Sequence, residues 1–309
     1  MVTLATQPRR LEHVLSSDQF DRGLLEDVFA RADALAGRRD TRLAGRIMAT
    51  LFYEPSTRTR LSFESAMLRL GGAVIGTEAA REFSSAIKGE TLEDTIRMVS
   101  QYADVIVLRH DQAGAAARAA AVAAVAVVNA GDGPGEHPTQ ALLDLYTIRS
   151  ELGSADGVHI AFCGDLRFGR TVHSLAQLLR LHEGVRMTFV APEVVQVGSD
   201  LQARLAAAGV PFRLTDRLDE VISTVDVVYQ TRVQKERFTD LDDFEAARRS
   251  IRIDRAVMRA LPRRAIVMHP LPRVDEIATE VDEDPRAAYF RQARNGVAIR
   301  MAVLDLLLG

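Results

Sequence analysis

The 309-residue chain holds a single cysteine, Cys163. A lone thiol excludes an internal disulfide and any metal site built on a cysteine cluster. It also makes a reducing compartment, the cytoplasm, the expected location. No apolar run approaches the roughly 18 residues of a membrane span. Met1–Arg10 lack the apolar centre of a signal peptide. Neither sign of charge is in large excess. The net charge is -3, so the balance supports neither general nucleic-acid binding nor a membrane-surface role. Lysine is nearly missing: of 39 basic side chains, all but Lys88 and Lys235 are arginine. Arginine is a planar fork, whereas lysine is a compact charge on a flexible stem. The two lysines that persist therefore mark positions suited to a compact ammonium.

What is present is ordinary globular composition, 47% hydrophobic and 26% charged, at a length that suits two domains. Ser16-Ser17-Asp18 predict a cap for a helix running to about Ala36. Short apolar strands then alternate with helical patterns. Strands are expected at Ile47–Phe52, Ala73–Thr77, Val105–Leu108 and Val125–Asn129. Helices are expected at Arg58–Leu70, Glu90–Tyr102 and Ala115–Ala124. A long helix, Pro138–Leu152, follows. The pattern then restarts, with strands at Val158–Cys163, Arg186–Val190, Val227–Gln230 and Ala265–Met268, and helices at Arg170–Leu181, Asp200–Ala208 and Arg291–Leu308. Such alternation predicts an α/β fold of two doubly wound parallel-sheet domains. The expected division is residues 1–137 joined by the terminal helix 291–309, a linking helix 138–152, and residues 153–290.

Open parallel sheets bind ligands beyond the carboxyl ends of their strands. The polar clusters fall there: Ser56–Arg60, Arg109-His110, Gly131–Gln140, Asp165–Arg170, Thr231–Arg237 and His269–Arg273. Six such turns predict an active-site cleft between the domains. In Phe52-Tyr53-Glu54-Pro55-Ser56-Thr57-Arg58-Thr59-Arg60, Pro55 ends the strand and Ser56 is placed to cap the next helix. A helix start with hydroxyls and arginines forms an anion site. Arg58, Arg109, Arg170 and Arg232 occupy these turns without an obvious carboxylate partner in each, which suits a multiply charged anion. His137 and Gln140 share one helical turn at a strand end, a ligand-facing arrangement. Gly131-Asp132-Gly133-Pro134-Gly135 lacks the spacing of a dinucleotide fingerprint, and no Walker-type loop is present.

These segments, with Lys88-Gly89-Glu90-Thr91, His137-Pro138-Thr139-Gln140, Gly169–Ser174, Thr231–Arg237 and His269-Pro270-Leu271-Pro272-Arg273, resemble in order the aspartate and ornithine carbamoyltransferase family. The resemblance spans nearly the whole chain. It implies that Ser56, Thr57, Arg58 and Thr59 hold the phosphate of carbamoyl phosphate. Thr59, Arg109 and His137 would grip its carbonyl oxygen. Gln140 and the Leu271 carbonyl would position its nitrogen, with Pro270 shaping that turn. Arg170, Arg232 and Gln234 would bind the two carboxylates of L-aspartate. Ser84 and Lys88 would lie on a loop that reaches the active site of a neighbouring subunit in a homotrimer, Ser84 touching carbamoyl phosphate and Lys88 touching both substrates.

Thr231-Arg232-Val233-Gln234-Lys235 favours a second carboxylate over the ammonium of ornithine, and Pro270 stands where ornithine enzymes usually carry cysteine. The implied reaction gives N-carbamoyl-L-aspartate and phosphate, an early step of pyrimidine biosynthesis, with no metal or organic cofactor. The alternatives are an ornithine carbamoyltransferase and a catalytically silent scaffold subunit. With no nucleotide motif in the chain, allosteric control would need another polypeptide; a regulatory chain and a dihydroorotase are the partner classes considered. The family loop often carries two adjacent lysines, whereas Ile87 precedes Lys88 here. Lys235 is read either as an ion-pairing residue of its loop or as a solvated surface residue.

Overall fold

Parallel strands buried on both faces need continuous apolar runs, and the runs in this chain form two such sheets. The computed structural model describes residues 11–78, 89–233, 238, 240, 244–245 and 251–309. It divides into two units, Met1–Pro138 with Val297–Gly309, and Thr139–Gly296. Every strand pair described is parallel.

The first unit holds β1 (Ile47–Phe52), β2 (Ala73–Glu78), β3 (Val105–His110) and β4 (Ala126–Asp132), in the order β2-β1-β3-β4. Its helices are α1 (Arg22–Leu35), α2 (Thr57–Arg69), α3 (Leu92–Val99) and α4 (Ala115–Ala120). β1 pairs with β2 on one side and β3 on the other, so the chain reverses its direction of winding between β1 and β3. The crevice above such a reversal is where ligands bind in open α/β sheets. Ala49, Leu51, Ile96, Ile106, Leu108 and Val127 build a core on this sheet.

The second unit holds β5 (His159–Cys163), β6 (Arg186–Val190), β7 (Phe212–Thr215), β8 (Val227–Gln230) and β9 (Ile266–Met268), ordered β7-β6-β5-β8-β9. Its reversal falls between β5 and β8. Helices α5 (Pro138–Leu152), α6 (Arg170–Leu179), α7 (Ser199–Ala207), α8 (Arg255–Ala260) and α9 (Tyr289–Leu308) complete the described set. Among the described residues, no helix is long and apolar enough to cross a membrane.

Four expectations are corrected. Ser16 caps only a 3-10 turn, Ser17–Gln19, while α1 begins later under Asp21, whose carboxylate accepts from Leu24 N–H at 2.8 Å. Buried Phe20, in extended conformation, separates the two. β3 and β4 run past their apolar stretches, so Arg109, His110, Gly131 and Asp132 belong to strands, because pairing continues to His110 opposite Asp132. The alanine-rich helix stops at Ala120 rather than Ala124. β7 was not expected: it is a half-exposed edge strand whose residues Phe212-Arg213-Leu214-Thr215 form no apolar run.

Candidate active site

α2 begins where Pro55 ends the extended chain. Ser56 takes the N-cap position (φ -159°, ψ 86°), yet its hydroxyl makes no capping bond, contrary to expectation. Helix geometry leaves the first-turn N–H groups without intrahelical acceptors, and the dipole favours an anion at that end. Thr57 and Arg58 are exposed here and Thr59 is buried. Among the described residues no carboxylate pairs with Arg58. Although Arg58 is exposed, protein packed around it disfavours its charge and lowers its pKa from the usual arginine value; the group stays protonated in any ordinary buffer. Arg60 is different. Its Nε donates to Glu64 at 2.8 Å, an i,i+4 pair within α2. Of the two arginines in the motif, one is available to a ligand and the other is structural.

The expectation that the turn arginines lack carboxylate partners is wrong for Arg109. Phe52 and Arg109 are in register across β1 and β3, which brings Glu54 within reach. Arg109 Nη2 lies 2.8 Å from Glu54 Oε2, and Nη1 donates to the Ala130 carbonyl at 3.2 Å. The first contact is close, but it lacks hydrogen-bond alignment; it is a Coulombic pairing.

His137 is buried immediately before α5. Asp132, which the sequence did not single out, organises the approach to it. Its carboxylate accepts from Glu136 N–H at 2.7 Å and Gly114 N–H at 2.9 Å. Glu136 in turn accepts from the Ser16 and Ser17 hydroxyls.

In the second unit, Gln140 Nε2 donates to Asp144 Oδ1 at 2.8 Å. Pro270 and Leu271 form the turn after β9. Leu271 sits at φ 55° and the Leu271–Pro272 peptide is cis. Left-handed backbone at a leucine is strained and persists only where surroundings impose it. Here Leu271 N–H donates to His269 Nδ1 at 2.8 Å. His269 Nε2 then meets Glu276 Oε1 at 2.8 Å, and Glu276 Oε2 accepts from the Val274 and Asp275 N–H groups. Burial pushes the Glu276 carboxyl upward, but hydrogen bonds from His269 and the backbone outweigh it and hold the pKa below its ordinary value.

β5 and β8 end side by side, Cys163 opposite Gln230. Thr231 Oγ1 donates to the Cys163 carbonyl at 3.0 Å. Gly164 (φ +103°) is required between them, because a Cβ there would stand 2.2 Å from the Thr231 carbonyl oxygen. Asp165 is fully buried and accepts from Phe168 N–H at 3.0 Å, shaping the turn into α6. Arg170 is the half-buried first residue of α6. Arg232 is half-buried and lines a cavity of about 310 Å³ with Gly164, Gln230, Val233, Phe244, Glu245, Ile251, Val274, Asp275 and Glu276. Ser84, Lys88, Gln234 and Lys235 lie outside the described residues.

Residues 12–150 match the carbamoyl-phosphate-binding domain of the aspartate/ornithine carbamoyltransferases, and residues 156–307 match the aspartate/ornithine-binding domain of the same family. The chain is 56% identical to the chloroplastic aspartate carbamoyltransferase of Oryza sativa subsp. japonica, covering 97% of this chain and 85% of that protein. It is 46% identical to the aspartate carbamoyltransferase catalytic subunit of Methanocaldococcus jannaschii, covering 96% and 98%. The solved aspartate transcarbamoylase of Trypanosoma cruzi with carbamoyl aspartate and phosphate superposes with a TM-score of 0.91 at 47% identity, covering 99% and 100% of the two chains.

Proposed function

The chain belongs to the aspartate/ornithine carbamoyltransferase family, and from that premise we infer that it transfers the carbamoyl group of carbamoyl phosphate to the amine of L-aspartate. The products are N-carbamoyl-L-aspartate and phosphate, and the step belongs to pyrimidine biosynthesis. One observation carries the reading. A chain 56% identical to an aspartate carbamoyltransferase presents, at the two winding reversals, an Arg58-bearing helix start and an Arg232-lined cavity.

The residues map onto the reaction as follows. Ser56, Thr57, Arg58, Thr59 and the first-turn N–H groups of α2 receive the phosphate. Thr59, Arg109 and an N–H of His137 face the carbonyl oxygen. Gln140 and the Leu271 carbonyl, in the turn shaped by Pro270, accept from the carbamoyl nitrogen. Arg170, Arg232 and Gln234 take the carboxylates of aspartate. The amine attacks the carbonyl carbon, a C–N bond forms, and negative charge grows on the oxygen. Donors fixed at that oxygen stabilise the transition state more than the ground state. The C–O bond to phosphate then breaks. The departing phosphate takes up the proton shed by the amine, so no protein base is required. Arg58 and the positive end of α2 offset the charge that accumulates on it.

The reading extends to a homotrimer in which Ser84 and Lys88 serve a neighbouring subunit, Lys88 touching both substrates. Exposed Leu61 and Leu68 support it: two turns apart, they share one face of α2 and leave an apolar stripe suited to a second copy. Cytoplasmic residence rests on the single buried thiol, Cys163.

The test is a product assay on the purified chain, given carbamoyl phosphate with L-aspartate and, separately, with L-ornithine. Carbamoyl aspartate alone is the expected product. Citrulline would move the assignment to ornithine, and neither product would favour a silent subunit.

A further inference from the structure

Both acceptors assigned to the carbamoyl nitrogen, the Gln140 side chain and the Leu271 carbonyl, belong to one hydrogen-bonded network in the second unit. We propose that Asp144 is a positioning residue that locks Gln140 with its carbonyl oxygen toward the ligand, so that the site selects a carbamoyl NH2 over an isosteric methyl group. This rests on the function proposed above and names a determinant of its substrate choice.

The argument is one of hydrogen-bond polarity. The His269 backbone N–H can only donate, and it donates to Gln292 Oε1 at 2.9 Å. The Gln292 amide is thereby oriented, and its Nε2 donates to Asp144 Oδ1 at 2.6 Å. The Tyr229 hydroxyl reaches Asp144 Oδ2 at 2.6 Å, and burial together with the Asp144 carboxylate raises the Tyr229 pKa well above its usual value, so this hydroxyl keeps its proton. Asp144 is fully buried and accepts from both sides. Donors already point at each of its oxygens, Gln292 Nε2 at Oδ1 and the Tyr229 hydroxyl at Oδ2, so it stands in the network as an acceptor. Of the two ends of the Gln140 amide, only Nε2 can face it, and Nε2 is the end found there, at 2.8 Å. Amide orientation is normally assigned from the surrounding network; here the network permits one answer. The four-residue spacing places Gln140 and Asp144 on one face of α5. Among the described residues no donor engages Gln140 Oε1, which leaves it as an acceptor for a ligand.

The same polarity runs to the other acceptor. Leu271 N–H donates to His269 Nδ1, so the ring carries its proton on Nε2, toward Glu276. The turn is held with the Leu271 peptide N–H engaged and its carbonyl as the remaining acceptor. A carbamoyl NH2 offers two donors to two acceptors, whereas an acetyl methyl offers none. Asp144→Ala removes the oxygen that Gln140 Nε2 faces, so the Gln140 amide can turn over and point its own donor at the ligand; an asparagine would keep its carbonyl oxygen between Gln140 and Gln292 and leave Gln140 as it is.

The experiment uses the full chain and begins with wild-type turnover. Absence of carbamoyl aspartate from wild type would refute the functional reading itself. Given turnover, Asp144→Ala is compared with wild type for kcat and KM of carbamoyl phosphate and for competitive inhibition by acetyl phosphate. The expected result is a fall of about tenfold in kcat/KM for carbamoyl phosphate, the cost of leaving one buried donor of the carbamoyl NH2 without its acceptor. The acetyl phosphate inhibition constant should stay within about twofold. A parallel weakening of acetyl phosphate would mean that Asp144 only supports the fold, and would overturn the proposal, as would unchanged use of carbamoyl phosphate. If Asp144→Ala does not yield folded protein, Tyr229→Phe replaces it. That change loosens the carboxylate without touching Gln140, and it must lower carbamoyl phosphate use while sparing acetyl phosphate; equal loss of both, or no loss, overturns the proposal.

Discussion

Glu54 places a carboxylate oxygen 2.8 Å from Nη2 of Arg109, so an acidic group stands against an arginine assigned to the carbamoyl oxygen. The pair orients the guanidinium, yet its negative charge opposes an incoming anion. Glu54→Ala should lower kcat roughly tenfold, since a misplaced donor forfeits part of its transition-state effect. Affinity for inorganic phosphate should hold or rise. Steady-state kinetics beside calorimetric phosphate titration separate the two, and weaker phosphate binding would contradict this account.

Arg58 and Arg60 should respond differently to the same change. Arg58 is exposed and, among the described residues, pairs with no carboxylate. Arg58→Ala should cost on the order of 100- to 1000-fold in kcat with little change in Tm. Arg60→Ala removes the bond to Glu64 and should cost about 0.3–0.5 kcal/mol of stability with a far smaller loss of rate. Equal losses of rate would show that the two arginines had been wrongly separated.

Arg58→Ala and Lys88→Ala should each be nearly inactive alone. Mixed under conditions that exchange subunits, they should recover part of the wild-type rate if, as proposed, a trimer builds each site from two chains. No recovery despite mass-spectrometric proof of exchange would rule out a shared site.

Arg232→Ala should raise KM for aspartate about tenfold or more, the loss of a charge-assisted hydrogen bond. Binding of carbamoyl phosphate, measured by titration without aspartate, should be nearly unchanged. Equal weakening of both substrates would remove Arg232 from the role given to it.

Glu276 provides a test by pH. Its folded pKa is depressed, chiefly by His269 and backbone donors acting against burial. A depressed carboxyl contributes stability that is present above its unfolded pKa, about 4.3, and is lost as pH falls through the folded value. Glu276→Gln should therefore lower the urea midpoint at neutral pH and flatten its decline below about pH 4. A variant whose acid limb parallels wild type would show that Glu276 does not contribute to it.

Much of this molecule was legible in its chain. Ile47–Phe52, Arg186–Val190 and Val227–Gln230 appear as strands with the expected bounds, and Pro138–Leu152 as a helix, because a strand buried on both faces must be an unbroken apolar run. The edge strand Phe212–Thr215 escaped for the converse reason, since a half-exposed edge tolerates Arg213 and Thr215. The Ser56–Arg60 motif stood out because a capping residue, hydroxyls and arginines together at a helix start have a chemical purpose. Asp132, Asp144 and Glu276 carried no such signal: a buried carboxylate looks like any other acidic residue until its donors are known.

The sequence by itself determined the periodicity, the βαβ alternation and the residue types at each strand end, since these are local properties of neighbouring side chains. Strand order was decided by tertiary structure. Only the orders β2-β1-β3-β4 and β7-β6-β5-β8-β9 bring Glu54 beside Arg109 and set Cys163 opposite Gln230. The division of labour between Arg58 and Arg60, and the polarity running from His269 through Gln292 to Asp144 and Gln140, were likewise settled in three dimensions. A hydrogen bond has a direction and a reach of about 3 Å, and residues 148 positions apart, such as Asp144 and Gln292, acquire both only when the chain has folded.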